Sequence, residues 1–340
     1  MILIAPDKFK GSLRAEEAAR AIAEGLRLGG CVEATLPRPM ADGGEGMPDE
    51  IEGFPVVSTS DLVGMANQSL LESPAMVRSS WALGQYLMQH YGPDSPGKNI
   101  PKIWLAVGGT MTVDGGAGAL QAMGIRFKDK RGERIDQPVA GRILSELAPL
   151  NKEDLRGFDR EYWKKKIHIL SDVRAALTGP GLSSLDFARQ KGVREEEMEG
   201  LKRGLEHLRE VLGNPAPSAV DGAGGGIGFA FGGFVEARYS SGAEVMLETM
   251  DVDWDEISMI ITGEGCIDCQ TAGGKVVDVL RRKAASLRIP CHAIGGYVAP
   301  EFRDAFTHST IGRPEDYDPS HACDRLREAA SALATHLSHF

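Results

Sequence analysis

Ile2-Leu3-Ile4-Ala5-Pro6-Asp7-Lys8-Phe9-Lys10-Gly11-Ser12 is the stretch that decides the fold, because an apolar run passes abruptly into a carboxylate, two ammonium groups and a hydroxyl. Such a run near the start of the chain suits a buried strand of a parallel sheet, and residues Ser12 to Leu28 carry the periodicity of an amphipathic helix. Ser12 is a candidate N-cap, with Glu16 and Glu17 in the first turn. The polar cluster then sits at the carboxyl end of a strand beside a helix N-terminus. Open α/β sheets collect anions there, since unpaired backbone N–H groups and the helix dipole both favour negative charge. Taken alone, the same residues also read as a solvated loop.

The totals set the frame. At 340 residues, two α/β lobes are expected, and 42% hydrophobic with 25% charged residues is ordinary for a globular chain. A formal net charge of -10 argues against a nucleic-acid partner, while a local basic site for a small anion stays open. No run reaches membrane-spanning length and no basic leader precedes the first strand, so a cytoplasmic location is expected. The five cysteines, Cys31, Cys266, Cys269, Cys291 and Cys323, are scattered and odd in number; they do not suggest a disulfide framework, and the Cys266/Cys269 pair reads as two incidental thiols.

Beyond the first helix, Val32 to Leu36 reads as a strand and leads into Met40-Ala41-Asp42-Gly43-Gly44-Glu45-Gly46. Gly43, Gly44 and Gly46 would let backbone amides approach an anion, and Asp42 and Glu45 could hold Mg²⁺ or accept a hydroxyl proton; a plain acidic turn is the alternative. Helical segments follow over 61–71 and 78–91. Ile103 to Thr110 repeats the opening theme, an apolar strand running into Gly108 and Gly109, then Asp114-Gly115-Gly116 and a small-residue helix over 117–123. This strand, turn and helix can cradle phosphate while matching neither the Walker A pattern nor the dinucleotide fingerprint. Residues 126–165 read as polar and peripheral. Lys166 to Asp172 is another strand ending in a carboxylate, with His168 as a strand residue, and Arg189 and Lys191 supply cations before a charged helix over 195–212. The glycines of 221–228 suit either tight packing or a backbone anion site, and Ile227 in the third glycine position weakens a nicotinamide dinucleotide reading. Ile261-Thr262-Gly263-Glu264-Gly265 reads as a further strand-to-glycine turn, with Asp268, Gln270 and Lys275 at the head of a helix to Ser286. A strand over 291–296 and a helix over 322–337 close the chain.

Asp7, Asp42, Asp114 and Glu264 thus each stand at a strand end or before a helix, and parallel strands would bring them to one edge. Carboxylates, lysines and glycine amides together are what phosphoryl transfer requires. The blocks around these residues, 5–13, 40–46, 108–118 and 261–271, resemble in order the signature blocks of the bacterial glycerate kinase family. The resemblance spans nearly the whole chain. It implies a Rossmann-like parallel-sheet lobe plus a smaller inserted α/β lobe, with the active site in the cleft between lobes, and ATP- and Mg²⁺-dependent phosphorylation of D-glycerate, at the 2-hydroxyl. On that basis 1–46, 78–178 and 250–340 would form the first lobe, and 47–77 and 179–249 the second. Lys8 and Lys10 would bind the substrate carboxylate or the transferring phosphate. Asp7, Asp42 and Asp172 would serve catalysis, with Asp42 and Asp172 as metal ligands. Gly43, Gly44, Glu45, Gly108, Gly109, Thr110, Asp114, Gly115, Gly263, Glu264, Gly265, Asp268 and Lys275 would line the nucleotide, and a homodimer is the candidate assembly.

The chain also departs from the family pattern. A β-rich segment is shortened between Gly46 and Asp61, Met111 and Val113 interrupt the usual Ser-Ala-Thr-Asn-Asp, and Arg174-Ala175-Ala176-Leu177 replaces an Asp-Asn-Pro-Leu block. Trp81-Ala82-Leu83-Gly84-Gln85 stands for an aromatic-Gly-Thr-Gly-Glu block. Cys266 stands for Arg and Cys269 for Gly, and a thiol cannot replace a bidentate guanidinium. A binding-only relative, a sensor or subunit for a phosphorylated sugar acid or nucleotide, is therefore the rival reading.

Overall fold

Ile2, Leu3 and Ile4 are all but inaccessible to solvent, as a strand covered on both faces requires. The computed structural model describes every residue except Ala66, Asp172, Gln270, Ala272, Gly273 and 338–340. Its strands are β1 (Ile2–Ile4), β2 (Thr35–Pro37), β3 (Glu50–Ile51), β4 (Phe54–Ser58), β5 (Ile103–Ala106), β6 (Ile167–Ser171), β7 (Arg238–Ser241), β8 (Met259–Ile267), β9 (Cys291–Val298) and β10 (Thr307–Ser309). Its helices are α1 (Ala15–Leu28), α2 (Thr59–Val63), α3 (Gln68–Leu71), α4 (Trp81–Tyr91), α5 (Ala117–Ala122), α6 (Arg160–Lys166), α7 (Ser184–Ala188), α8 (Glu195–Val211), α9 (Gly242–Glu248), α10 (Val276–Leu287) and α11 (Ala322–Leu337). No described helix is long and apolar enough to cross a membrane.

The chain divides into two α/β units, one of residues 1–42 and 241–340, the other of residues 43–240. The inserted unit is the larger. The expected boundaries fall elsewhere, because β5 and β6, within 78–178, pair with β4 and so belong to the inserted unit.

In the first unit the sheet order is β10-β9-β8-β1-β2, and the pairs are parallel. Alternation along β1 sends Ile2 and Ile4 to a layer with Ile22, Leu26, Leu326 and Leu333 of α1 and α11, and Leu3 and Ala5 to a layer with Val276, Leu280 and Ala243 of α10 and α9. The sheet is thus clothed on both faces, each fully buried aliphatic side chain contributing about 1.5–3 kcal/mol. α1 lies close against α11 because Gly25 and Gly29 leave no Cβ; one at either position would come within 2.3 Å of the carbonyl oxygen of Arg327 or Ser331. The first helix turn starts later than Ser12 suggested. Arg14 is the N-cap residue, its amide donating to Glu17 Oε2 at 2.9 Å, while the Ser12 hydroxyl donates to Phe9 O.

The second unit holds the order β3-β4-β5-β6-β7, with β3 antiparallel to β4 and β4, β5 and β6 parallel. Glu52 and Gly53, at φ 55° and 79°, close β3 onto β4 in a two-residue turn. The expected helix over 61–71 is two short pieces, α2 and α3, separated by Gly64. Residues 126–165 are less peripheral than their polarity suggests, since Phe127, Val139, Leu144, Leu147 and Trp163 lie in the core with Leu201, Leu205 and Leu208 of α8. His168 is a strand residue as read: its Nε2 lies 2.9 Å from Ser240 Oγ, its ring meets Trp104, and burial pushes its pKa down to about 4.

Candidate active site

The order of the first sheet, read from its edge as 2-1-3-4-5, reverses direction between β1 and β8. Ligands of open parallel sheets bind outside the carboxyl ends of the strands at such a reversal. Pairing continues past the strand ends there: the Asp7 amide donates to Gly263 O at 2.8 Å, and on the other side the Met40 amide donates to Pro6 O at 2.9 Å. Asp7, Asp42 and Glu264 are consequently held beside one another, with 4%, 5% and 5% of their surface exposed. Lys8 Nζ lies 3.3 Å from Asp42 Oδ1 and 3.7 Å from Asp7 Oδ1, and Lys275 Nζ lies 3.7 Å from Glu264 Oε2.

Three buried carboxylates with two lysines leave the negative charge undercompensated. Burial first, then the Asp42 charge, pushes the Asp7 carboxyl well above its ordinary range against the pull of Lys8. Burial also raises Glu264, against Lys275 and a hydrogen bond from Thr271. Glu264 Oε1 is buried and has no hydrogen-bond partner among the described residues, so the cluster has an acceptor in reserve for a cation or a proton. No three carboxylate, His or Cys groups among the described residues converge closely enough to enclose a metal ion. An all-oxygen site offering one or two carboxylates is nevertheless what Mg²⁺ takes when phosphates and water supply its other ligands. Asp172, expected as the second ligand, lies outside the described residues.

Several expected nucleotide residues behave differently. Gly263, Glu264 and Gly265 form no turn: β8 runs through them to Ile267, paired with Ile294 and Gly295, so their backbone is committed to the sheet. Glycine is needed there for close approach, since a Cβ on Gly263 would come within 2.3 Å of Ile294 O. Lys10 is exposed with no ion pair among the described residues, whereas Lys8 turns in to the acids. Asp268 follows β8, its amide donating to the Thr271 hydroxyl, and its charge helps to raise both Glu264 and Cys266. All five cysteines are free, with Cys266 and Cys269 exposed.

In the second unit, Gly43 and Gly44 pack backbone to backbone against Gly108, whose amide donates to Gly43 O at 3.0 Å. Among the described residues the amides of Gly44, Glu45, Gly46, Gly109 and Thr110 meet no acceptor, the open set expected of an anion cradle. Glu45 itself points to solvent. Asp114 is turned inward instead. Its Oδ2 accepts from the Ser80 amide and hydroxyl, each at 2.7 Å, and from the Gly118 amide, and its Oδ1 accepts from Gly116, so it ties α4 to α5 rather than facing a ligand. Gly115 is a packing glycine: its amide donates to Gly225 O and a Cβ would strike Leu208. Gly224, Gly225 and Gly226, all at positive φ, likewise resolve to tight packing against Val107, Thr112 and Gly115.

Two residues that sequence reasoning did not place complete this loop. Lys191, buried, donates from Nζ to Thr110 Oγ1 at 2.8 Å and to Thr112 O at 3.1 Å. Arg78, also buried, donates to the carbonyls of Leu70, Leu71, Ser73, Met111 and Lys191, fixing both the loop and the lysine. The available signal was Lys191 as a cation ahead of α8; its partners lie some 80 positions upstream.

The family model for the glycerate kinase family matches residues 2–54 and 49–313. The chain belongs to the glycerate kinase family. It is 31% identical to glycerate kinase of Bacillus cereus, over 88% of this chain and 86% of that protein, and 30% identical to glycerate 2-kinase of Escherichia coli K12, over 87% and 84%. A crystal structure described as a candidate glycerate kinase 2 from Salmonella typhimurium LT2 superposes with a TM-score of 0.69 at 26% identity, covering 99% of this chain and 98% of that one. The two matched segments overlap at 49–54, in the hairpin of β3 and β4.

Proposed function

We propose that this kinase transfers the γ-phosphoryl group of ATP, with Mg²⁺, to the 2-hydroxyl of D-glycerate, giving 2-phosphoglycerate and ADP. The observation that carries the reading is the buried Asp7–Lys8–Asp42–Glu264 cluster at the sheet's reversal point, in a chain of this family. The name of the Escherichia coli relative favours the 2-position.

In this reading Asp7, whose carboxyl is raised, accepts the hydroxyl proton as the oxygen bonds to phosphorus and the bond from phosphorus to ADP breaks. Lys8 holds Asp7 and Asp42 in place and offers its ammonium to the acceptor's carboxylate or to the phosphates. Lys275 does the same beside Glu264. Mg²⁺, held by Asp42 with Asp172 as the second candidate, would neutralise phosphate charge. Within the second unit by itself, the amides of 44–46 and 109–110, with Lys191 fixing Thr110, form a candidate anion cradle. A binding-only relative is the second reading, favoured by Cys266, whose thiol donates to Asp268 at the position where the resemblance leads one to expect an arginine.

The test is a coupled ADP-release assay with ATP, Mg²⁺ and D-glycerate, run beside Asp42→Asn and a panel of other hydroxy acids. Glycerate-dependent turnover, lost in Asp42→Asn, is expected. Turnover with another acid alone would change the substrate, and folded protein inert with every acceptor would leave the binding-only reading.

A further inference from the structure

The carboxyl edge of the first unit's sheet carries a second feature that the phosphoryl-transfer chemistry does not use. A cavity of about 310 Å³ opens beyond β9 and β10, with Val298, Arg303, Ser309, Thr310, Ile311 and Gly312 among its walls. Register ties it to the acid cluster. The Asp7 amide meets Gly263 O, Glu264 pairs with Gly295, and Gly295 pairs with Ser309, so these positions form one row across four strands. Three strand spacings of about 4.8 Å put the cavity about 14 Å from the Asp7 position, a span that an extended nucleoside triphosphate covers.

The walls have the chemistry of a base site. Val298 and Ile311 supply apolar surface. The Ser309 and Thr310 hydroxyls donate to the carbonyls of Gly296 and Ile311, so their protons are already placed. Arg303 Nε donates to Val298 O, which fixes the guanidinium while its two terminal nitrogens meet no acceptor among the described residues. The Gly312 amide also meets none. An apolar slot with a few fixed donors suits a flat ring bearing nitrogen acceptors, whereas a small anion has no use for the apolar walls.

The geometry points to this cavity as the seat of the purine base of the phosphoryl donor, the phosphate chain running along the carboxyl edge toward Lys8. The inference rests on the kinase reading, but it can fail separately from it.

Ile311→Trp fills the cavity, and Arg303→Ala removes its fixed donors; neither residue belongs to the acid cluster. With ADP and ATP as probes, Ile311→Trp should raise the Kd for ADP and the KM for ATP at least about tenfold, with kcat and the KM for glycerate within about twofold of wild type. Arg303→Ala should raise both constants about threefold or more. Tripolyphosphate, which has no base, should bind Ile311→Trp as it binds wild type. Variants that melt with wild-type cooperativity yet bind ADP like wild type would overturn the inference, as would wild-type protein that fails to bind ADP. Wild type without turnover whose ADP binding is lost in Ile311→Trp would keep the cavity assignment and remove the kinase reading.

Discussion

Asp7 and Asp114 follow the same local plan, an apolar parallel strand giving way to a turn with a carboxylate, and the two units use them in opposite ways. After β1 the carboxylate stays among other carboxylates, with one lysine between them, and burial raises it. After β5 the carboxylate is fully buried and burial raises it as well, but hydrogen bonds from Ser80, Gly118 and Gly116 oppose that rise, and the cation at that strand end serves Thr110 instead. An acid at a strand end is therefore not by itself a reactive group. What its neighbours can donate decides whether it is available or structural.

The largest effect that would sharpen this contrast is expected at Lys191. Lys191→Met should lower kcat/KM about 10²-fold or more with the fold retained, because the loop presenting the open amides loses its anchor. Lys191→Arg should recover part of the loss, and steady-state kinetics at several ATP concentrations reads both. Equal activity in wild type and Lys191→Met would mean that the loop of Gly109 and Thr110 has no part in turnover.

Next is stability. Asp114→Ala should cost about 2–4 kcal/mol, since three amides and a hydroxyl lose their acceptor in the interior. Urea unfolding measures it, and a loss below about 1 kcal/mol would contradict the structural role given to Asp114.

How far the sequence carried the reading follows from the kind of interaction involved. The run from Ile2 to Ser12 carries strand, turn and acid within eleven neighbouring positions, so the parallel strand and the placing of Asp7 and Lys8 at its carboxyl end were legible from local pattern. Whether a glycine sequence turns or continues is decided by the partner strand: Gly263 and Gly265 look like a turn, yet Gly295 and Gly296 on β9 let two glycine-rich strands pair closely. That Asp114 turns inward was not legible for a similar reason, because its partner Ser80 lies far away in sequence. Residues 126–165 looked peripheral because their apolar side chains are spaced irregularly among charges, without the period of a helix or strand.

A moderate effect is expected on the pH profile. With Asp7 as proton acceptor, kcat should rise with pH through a midpoint above the ordinary carboxylate value of 3.8, as its raised carboxyl requires. A profile flat down to pH 4 would assign the proton to another group. The smallest effect belongs to Cys266, whose thiol is pushed up to about 11 by burial and then by Asp268. Cys266→Ser should change kcat less than about twofold, and slow alkylation at pH 7 should confirm that the thiol stays protonated.

The central claim, that burial among other carboxylates raises Asp7 and suits it to accept the hydroxyl proton, is tested most directly by Asp7→Asn, with melting and turnover measured on one preparation at pH 7. The contribution of a carboxyl raised by folding is fully present below its unfolded pKa and is lost as pH rises through the folded value, so ionised Asp7 opposes folding at neutral pH. Asp7→Asn should therefore melt higher than wild type while losing glycerate-dependent turnover by about 10²-fold or more. A variant that melts lower and still turns over at the wild-type rate would contradict the account.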